Sequence, residues 1–153
     1  GRSVIVTPHA ATAPQALATI EAMWRAAGAV VTRLDAAQHD RIFAAVSHLP
    51  HVLAHTLVAE LAARADADAL FAHAGTGFGD FTRIAASSPE MWRDVALANR
   101  AALLAELDRY REALAGVRAA IDAGDGDALE ALFARARAAR RRWQASRDGA
   151  TAP

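Results

Sequence analysis

The sequence predicts a mainly α protein that opens with a short strand–helix–strand unit. Three observations carry this. Hydrophobic residues make up 54% of the 153 but aromatics only 6%, so alanine and leucine must fill much of the core. Alanine is the best helix former. β-branched runs of strand character occur only within the first 34 residues, and an apolar seam spaced by threes and fours runs through the C-terminal part.

Taken in order, "SVIVT" (3–7) is short and β-branched, hence a strand, and Pro8 ends it. "PQALATIEAMWRAAG" (14–28) starts with proline and stops at glycine, the usual asymmetry of a helix. "AVVTRL" (29–34) is a second strand, which completes a βαβ-like unit over residues 1–34. Two strands do not make a stable sheet alone. From Asp35 a helical region extends over 35–147, and a frayed tail is expected over 148–153. Its first helix runs from an Asp35 N-cap to about residue 65 and is followed by a short helix near 66–73. A glycine loop, "AGTGFGD" (74–80), and a short helix over 81–87 come next. Ser88 caps a helix that begins with Pro89 and Glu90 and is expected to continue to about residue 123. Leu103, Leu107, Tyr110, Leu114, Val117 and Ile121 form a heptad seam on it. "GDGD" (124–127) breaks that helix, with Asp127 as the expected next N-cap. The pair then reads as a helical hairpin, packed within the chain or against another subunit.

Composition removes several classes of chemistry. Basic and acidic residues balance at 17 each, and every basic residue is arginine. A Schiff-base lysine is excluded, and neutrality argues against a dedicated nucleic-acid binder. The basic run "ARARAARRRW" (134–143) reads as a solvated helix face. Cysteine is absent, which removes disulfides and thiol catalysis and fits a cytosolic protein. No uninterrupted apolar run approaches the roughly 20 residues of a membrane span, and no signal peptide is visible.

One stretch resists a packing explanation. "HDRIFAAVSHLPHVLAHTLV" places four histidines and a proline on an otherwise apolar helix. A proline in mid-helix costs about 3 kcal/mol or more. At about 100° per residue, Ser47 and His51 fall roughly 20° either side of Asp40. A carboxylate, a hydroxyl and an imidazole thus share one face. The residues are compatible with hydrogen-bonded core histidines, with a metal site on His48, His51 and His55, or with a polar wall for an anionic small molecule. Zinc accepts such nitrogens, but there is no HExxH, and no metal site is assigned. For the anion, Arg83 supplies a bidentate fork, and Asp80 three residues earlier can orient it or simply pair with it. "GTGFG" does not follow a strand, so it is not a dinucleotide fingerprint. "DAGDGD" lacks the spacing of a calcium loop.

The two long motifs, "HDRIFAAVSHLPHVLAHTLV" and then "GTGFGDFTRIAASSPEMWRDV", resemble the prephenate/arogenate dehydrogenase family, as do "VIVTP" and "MWRAAGAVV" before them. The resemblance spans roughly residues 3–122. It implies a helical C-terminal domain that binds substrate and forms a homodimer through its long C-terminal helices. Residues 1–34 become the remnant of a Rossmann domain that holds NAD or NADP. The family's glycine fingerprint and catalytic histidine do not occur in this sequence, so no catalytic residue is assigned and the chain alone is expected to be inactive. By resemblance, Arg83 holds the ring carboxylate of prephenate or arogenate. His51 lines the pocket and Trp92 closes part of it. Asp40, Ser47 and Arg83 form a polar network at the entrance, and the backbone around Gly77 comes near the substrate. The implied activity is oxidative decarboxylation in tyrosine biosynthesis, in the cytoplasm, without membrane or nucleic acid. The alternative is a non-catalytic helical sensor for an aromatic acid.

Overall fold

A computed structural model describes residues 1–150, with side chains through residue 147. It is mainly α, with one two-stranded parallel sheet among the described residues. The chain forms two compact units, residues 1–36 with 109 onward, and residues 37–108.

In the first unit, β1 (Ser3–Val6) pairs in parallel with β2 (Val30–Arg33), in the register Ser3↔Val30 to Val6↔Arg33. The crossover is α1 (Pro14–Ala26), with proline in its first turn. Gly28, at φ +79°, reverses the chain into β2, a conformation that favours glycine. The sheet is too small to bury α1 by apolar contact alone, and a charge cluster ties the two together. Glu21, 3% exposed, accepts bonds from Arg33 Nε and, at 2.9 Å, from Arg33 Nη2. Arg25 Nη1 lies 3.1 Å from the same carboxylate. These partners, Arg33 above all, outweigh burial and hold the Glu21 carboxyl at about 2.

The second unit is built on a nearly continuous helical run. α2 (Ala36–Phe43) passes through a π-helical turn (Ala44–His48) into α3 (Leu49–Ala62). The turn sits directly before Pro50, where Leu49 N–H donates to the Ala44 carbonyl five residues back. An inserted residue relieves the conflict between the proline ring and the preceding turn. The sequence predicts a proline bend here; the structure resolves it as this π turn. Small residues, Ala44 and Ala54, are fully buried and let neighbours approach closely. α3 packs against α4 (Ala67–Ala72), α5 (Thr76–Thr82) and a 3-10 turn (Arg83–Ala86).

Five expectations change. The glycine segment is not a loop: Gly77 and Gly79 lie inside α5. The long helix is two, α6 (Pro89–Ala98) and α7 (Arg100–Asp122), separated at Asn99 (φ −102°, ψ 34°). Ser88 caps α6 by accepting from Met91 N–H at 3.2 Å, as its sequence predicts. Asp125, rather than Asp127, caps α8 (Gly126–Ala150) by accepting from Ala128 N–H at 2.9 Å. Of the tail expected to fray, 148–150 continue α8 and 151–153 lie outside the described residues. Finally, the run Ala36–Ala62 reaches a mean hydropathy of 1.4 and is long and apolar enough to cross a membrane by length and composition. Scanning for uninterrupted apolar runs missed it, because the histidines punctuate it.

The heptad seam is buried at Leu103, but Leu114, Ile121, Phe133 and Trp143 are each half exposed or more. In the basic run, the Arg140 guanidinium sits 4.5 Å from the Trp143 ring.

Candidate functional site

The histidine-bearing run positions two adjoining clusters in the second unit. The first joins the start of the run to the break between α6 and α7. Asn99 is 8% exposed, and its Nδ2 donates to the Asp40 carbonyl at 2.8 Å and lies 3.1 Å from His48 Nδ1. His39 Nδ1 meets the exposed Asp40 carboxylate at 3.0 Å and stacks on Phe43. Burial, with a smaller push from His39, moves His48 below its ordinary value, while Asp40 opposes the shift.

The second cluster lies one turn further along α3. His51 stacks face to face on Trp92 of α6, with ring centroids 3.5 Å apart and planes 19° from parallel. The same Trp92 meets His48 edge-on at 6.2 Å, which couples the two clusters. His51 Nδ1, His55 Nε2 and Trp92 Nε1 are buried without a hydrogen-bond partner. Each such atom forfeits roughly 1–3 kcal/mol of hydration. Beside them, Val52, His55, Thr56, Pro89, Trp92 and Arg93 line an open pocket of about 260 Å³. Burial first, then His55, with smaller pushes from His48 and Arg83, lowers His51, against a backbone bond at Ile84 that favours its cation. A neutral imidazole results, able both to donate and to accept.

Arg83 stands on the 3-10 turn that packs against α3, close enough to His51 to affect its charge. Its side chain is exposed and has no ion-pair partner among the described residues. Asp80 is likewise exposed and unpaired, so these two do not orient each other. Ser47 is half-buried, and its side chain makes no hydrogen bond to another described residue. The structure therefore joins His51 with Trp92 and Arg83, and joins Asp40 with His48 through Asn99. The helical wheel that aligned Asp40 with His51 assumes a uniform α-helix, and the π turn between them shifts the phase of everything after it. Gly77 is held within α5, and its Cβ position meets open space, so its backbone is accessible. No cluster of three or more histidine, aspartate or glutamate side chains suited to a metal occurs among the described residues.

Asn99 was not singled out from the sequence. The available signal was an asparagine interrupting an otherwise unbroken helical pattern in "LANRAAL".

Residues 35–135 match the family described as "Prephenate dehydrogenase, dimerization domain". Cyclohexadienyl dehydrogenase of Zymomonas mobilis is 37% identical over 139 residues, covering 90% of this chain and 47% of the relative. Prephenate dehydrogenase of Bacillus subtilis is 31% identical, covering 84% of this chain and 35% of the relative. The crystal structure of A. aeolicus prephenate dehydrogenase in complex with hydroxyphenyl propionate and NAD+ superposes with a TM-score of 0.84 at 33% identity, covering 92% of this chain and 49% of that one. Synechocystis arogenate dehydrogenase superposes with a TM-score of 0.80 at 28% identity, covering 92% and 52%. The chain thus spans about half or less of the length of these relatives.

Proposed function

The chain belongs to the prephenate dehydrogenase family, and on that premise we propose that it is the substrate-binding and dimerisation half of an enzyme of tyrosine biosynthesis that oxidatively decarboxylates prephenate or arogenate with NAD or NADP. The observation that carries this is Arg83: an unpaired guanidinium on a turn packed against the helix of a neutral His51, itself stacked on Trp92. A diacid needs a fixed cation, and a guanidinium matches a carboxylate through two parallel N–H bonds. The His51–Trp92 stack offers a flat wall for the ring and excludes water from one side. His51, being neutral, hydrogen-bonds a substrate oxygen without adding charge. Asp40, Ser47, Asp80 and the backbone at Gly77 belong to the polar rim in this proposal.

The chain's own residues do not fit a dinucleotide. β1 runs into Pro8 without a glycine turn, and the glycine-rich run lies inside α5 instead of after a strand. Cofactor binding is therefore assigned to a nucleotide-binding domain of the whole protein, with residues 1–34 contributing strands to its sheet. The half-exposed apolar seam of Leu114, Ile121, Phe133 and Trp143 is assigned to the homodimer, residues 35–147 forming the helical domain. A cytoplasmic location without membrane or nucleic-acid partner accompanies this function, and Ala36–Ala62 is then a core helix.

Titration of the full chain with 4-hydroxyphenyl propionate, followed by calorimetry, tests the site. Arg83→Ala should weaken binding by about 10- to 100-fold and leave the melting temperature unchanged, since the side chain is exposed. Joined to its cofactor domain, the variant should show a raised KM with cofactor affinity intact. Equal affinity of wild type and variant sinks the assignment.

A further inference from the structure

We propose that Asn99 is a positioning residue that holds His48 as the neutral imidazole protonated on Nε2, so that His48 offers the site a hydrogen-bond donor and no charge. The amide orientation follows from the acceptor it faces. The Asp40 carbonyl, 2.8 Å away, can only accept, so the Asn99 nitrogen must point toward it. That nitrogen carries two protons. The second faces His48 Nδ1 at 3.1 Å, which must then present a lone pair. With Nδ1 committed as an acceptor, the ring proton resides on Nε2. A protonated His48 would set N–H against N–H in a site where Asn99 is 8% exposed and cannot turn away without abandoning the Asp40 carbonyl.

The backbone makes this arrangement rigid. Asn99 N–H donates to the Val95 carbonyl and the Asn99 carbonyl accepts from Leu103 N–H, each at 3.0 Å, so the residue closes α6 and opens α7. At φ −102° and ψ 34° it stands outside the helical region, at the break itself. The break between the helices and the bond to His48 thus meet at one residue. The titratable groups around His48 are His39 and Asp40 on α2 and His51 on α3; burial and His39 work in the same direction as Asn99, and Asp40 against it.

The consequence for substrate rests on the function proposed above, whereas the tautomer does not. Charge recognition falls to Arg83, and His48 supplies a neutral donor to a hydroxyl or carbonyl oxygen. The test is ¹⁵N–¹H NMR of the histidine rings in the full chain, with His48 assigned by loss of its signals in His48→Gln. Wild type should show the Nε2–H tautomer at pH 7. Asn99→Leu, which removes the donor, should release that preference, and Asn99→Asp should move the proton to Nδ1 and raise the pKa of His48. Binding of 4-hydroxyphenyl propionate should weaken about three- to tenfold in Asn99→Leu. A wild-type Nδ1–H tautomer overturns the proposal even if no variant folds, and so does a tautomer indifferent to Asn99→Leu. If wild type shows Nε2–H but binds no hydroxyphenyl propionate, the positioning stands and the functional proposal falls.

Discussion

The two units differ in how completely they pair their buried polar groups. In the first, Glu21 is buried and paired with Arg33 and Arg25. In the second, His51, His55 and Trp92 bury polar atoms that pair with nothing. A satisfied buried charge links α1 to β2 and is a structural device. Unsatisfied atoms beside an open pocket and an unpaired arginine weaken the fold where they stand, and proteins accept that cost at sites that bind.

The largest effect should come from breaking the paired side. Arg33→Ala leaves Glu21 in the interior with only Arg25. We expect the melting temperature to fall by about 5 °C or more, read by calorimetry, with ligand affinity unchanged. Glu21→Leu, which removes the charge instead of orphaning it, should cost much less. Equal losses in the two variants would mean that packing, rather than pairing, joins α1 to β2.

Acidity should separate the units next. Glu21 sits at about 2 in the fold against an ordinary 4.5, so its contribution is complete above pH 4.5 and is lost as pH falls toward 2. His48 and His51 are lowered as well, below 6.5, chiefly by burial, and for a base that favours the neutral form. The unfolded chain therefore binds protons before the folded one does as pH drops through 6.5. Hydrogen exchange should show 37–108 losing protection between pH 7 and 5 while β1, β2 and α1 keep theirs. Loss in both units together over that range would erase the contrast.

The smallest effect sharpens the unpaired side. Replacing a buried group that has no partner by an apolar one of similar size is close to neutral. His55→Leu should leave the melting temperature within about 2 °C of wild type at pH 7. A large loss would show that His55 Nε2 has a partner in solution.

Local chemistry made much of this legible. Pro14 and Gly28 bound α1, Ser88 and Pro89 start α6, and β-branched runs mark both strands, because each acts through the backbone of its own few residues. Arg83, His51 and Trp92 were legible as candidate site residues through motifs longer than any element. The failures share a cause as well. Gly77 and Gly79 are poor helix formers, yet packing against α3 holds them in α5. Within "LANRAAL" the asparagine alone marks where one helix closes and another opens, and its partners, 51 and 59 residues away, are not legible there.

By itself, then, the sequence determined the two strands and the helical character of most of the rest, that no thiol or lysine chemistry is available, and that a histidine helix and an arginine turn are the candidates for one site. Only the tertiary structure decided which histidine meets which partner. A π turn ahead of Pro50 resets the helical phase by a residue, and contacts across 12 to 59 positions then bring Asn99 to Asp40 and His48, stack His51 on Trp92 and pair Glu21 with Arg33. Such distances lie beyond what any local pattern encodes.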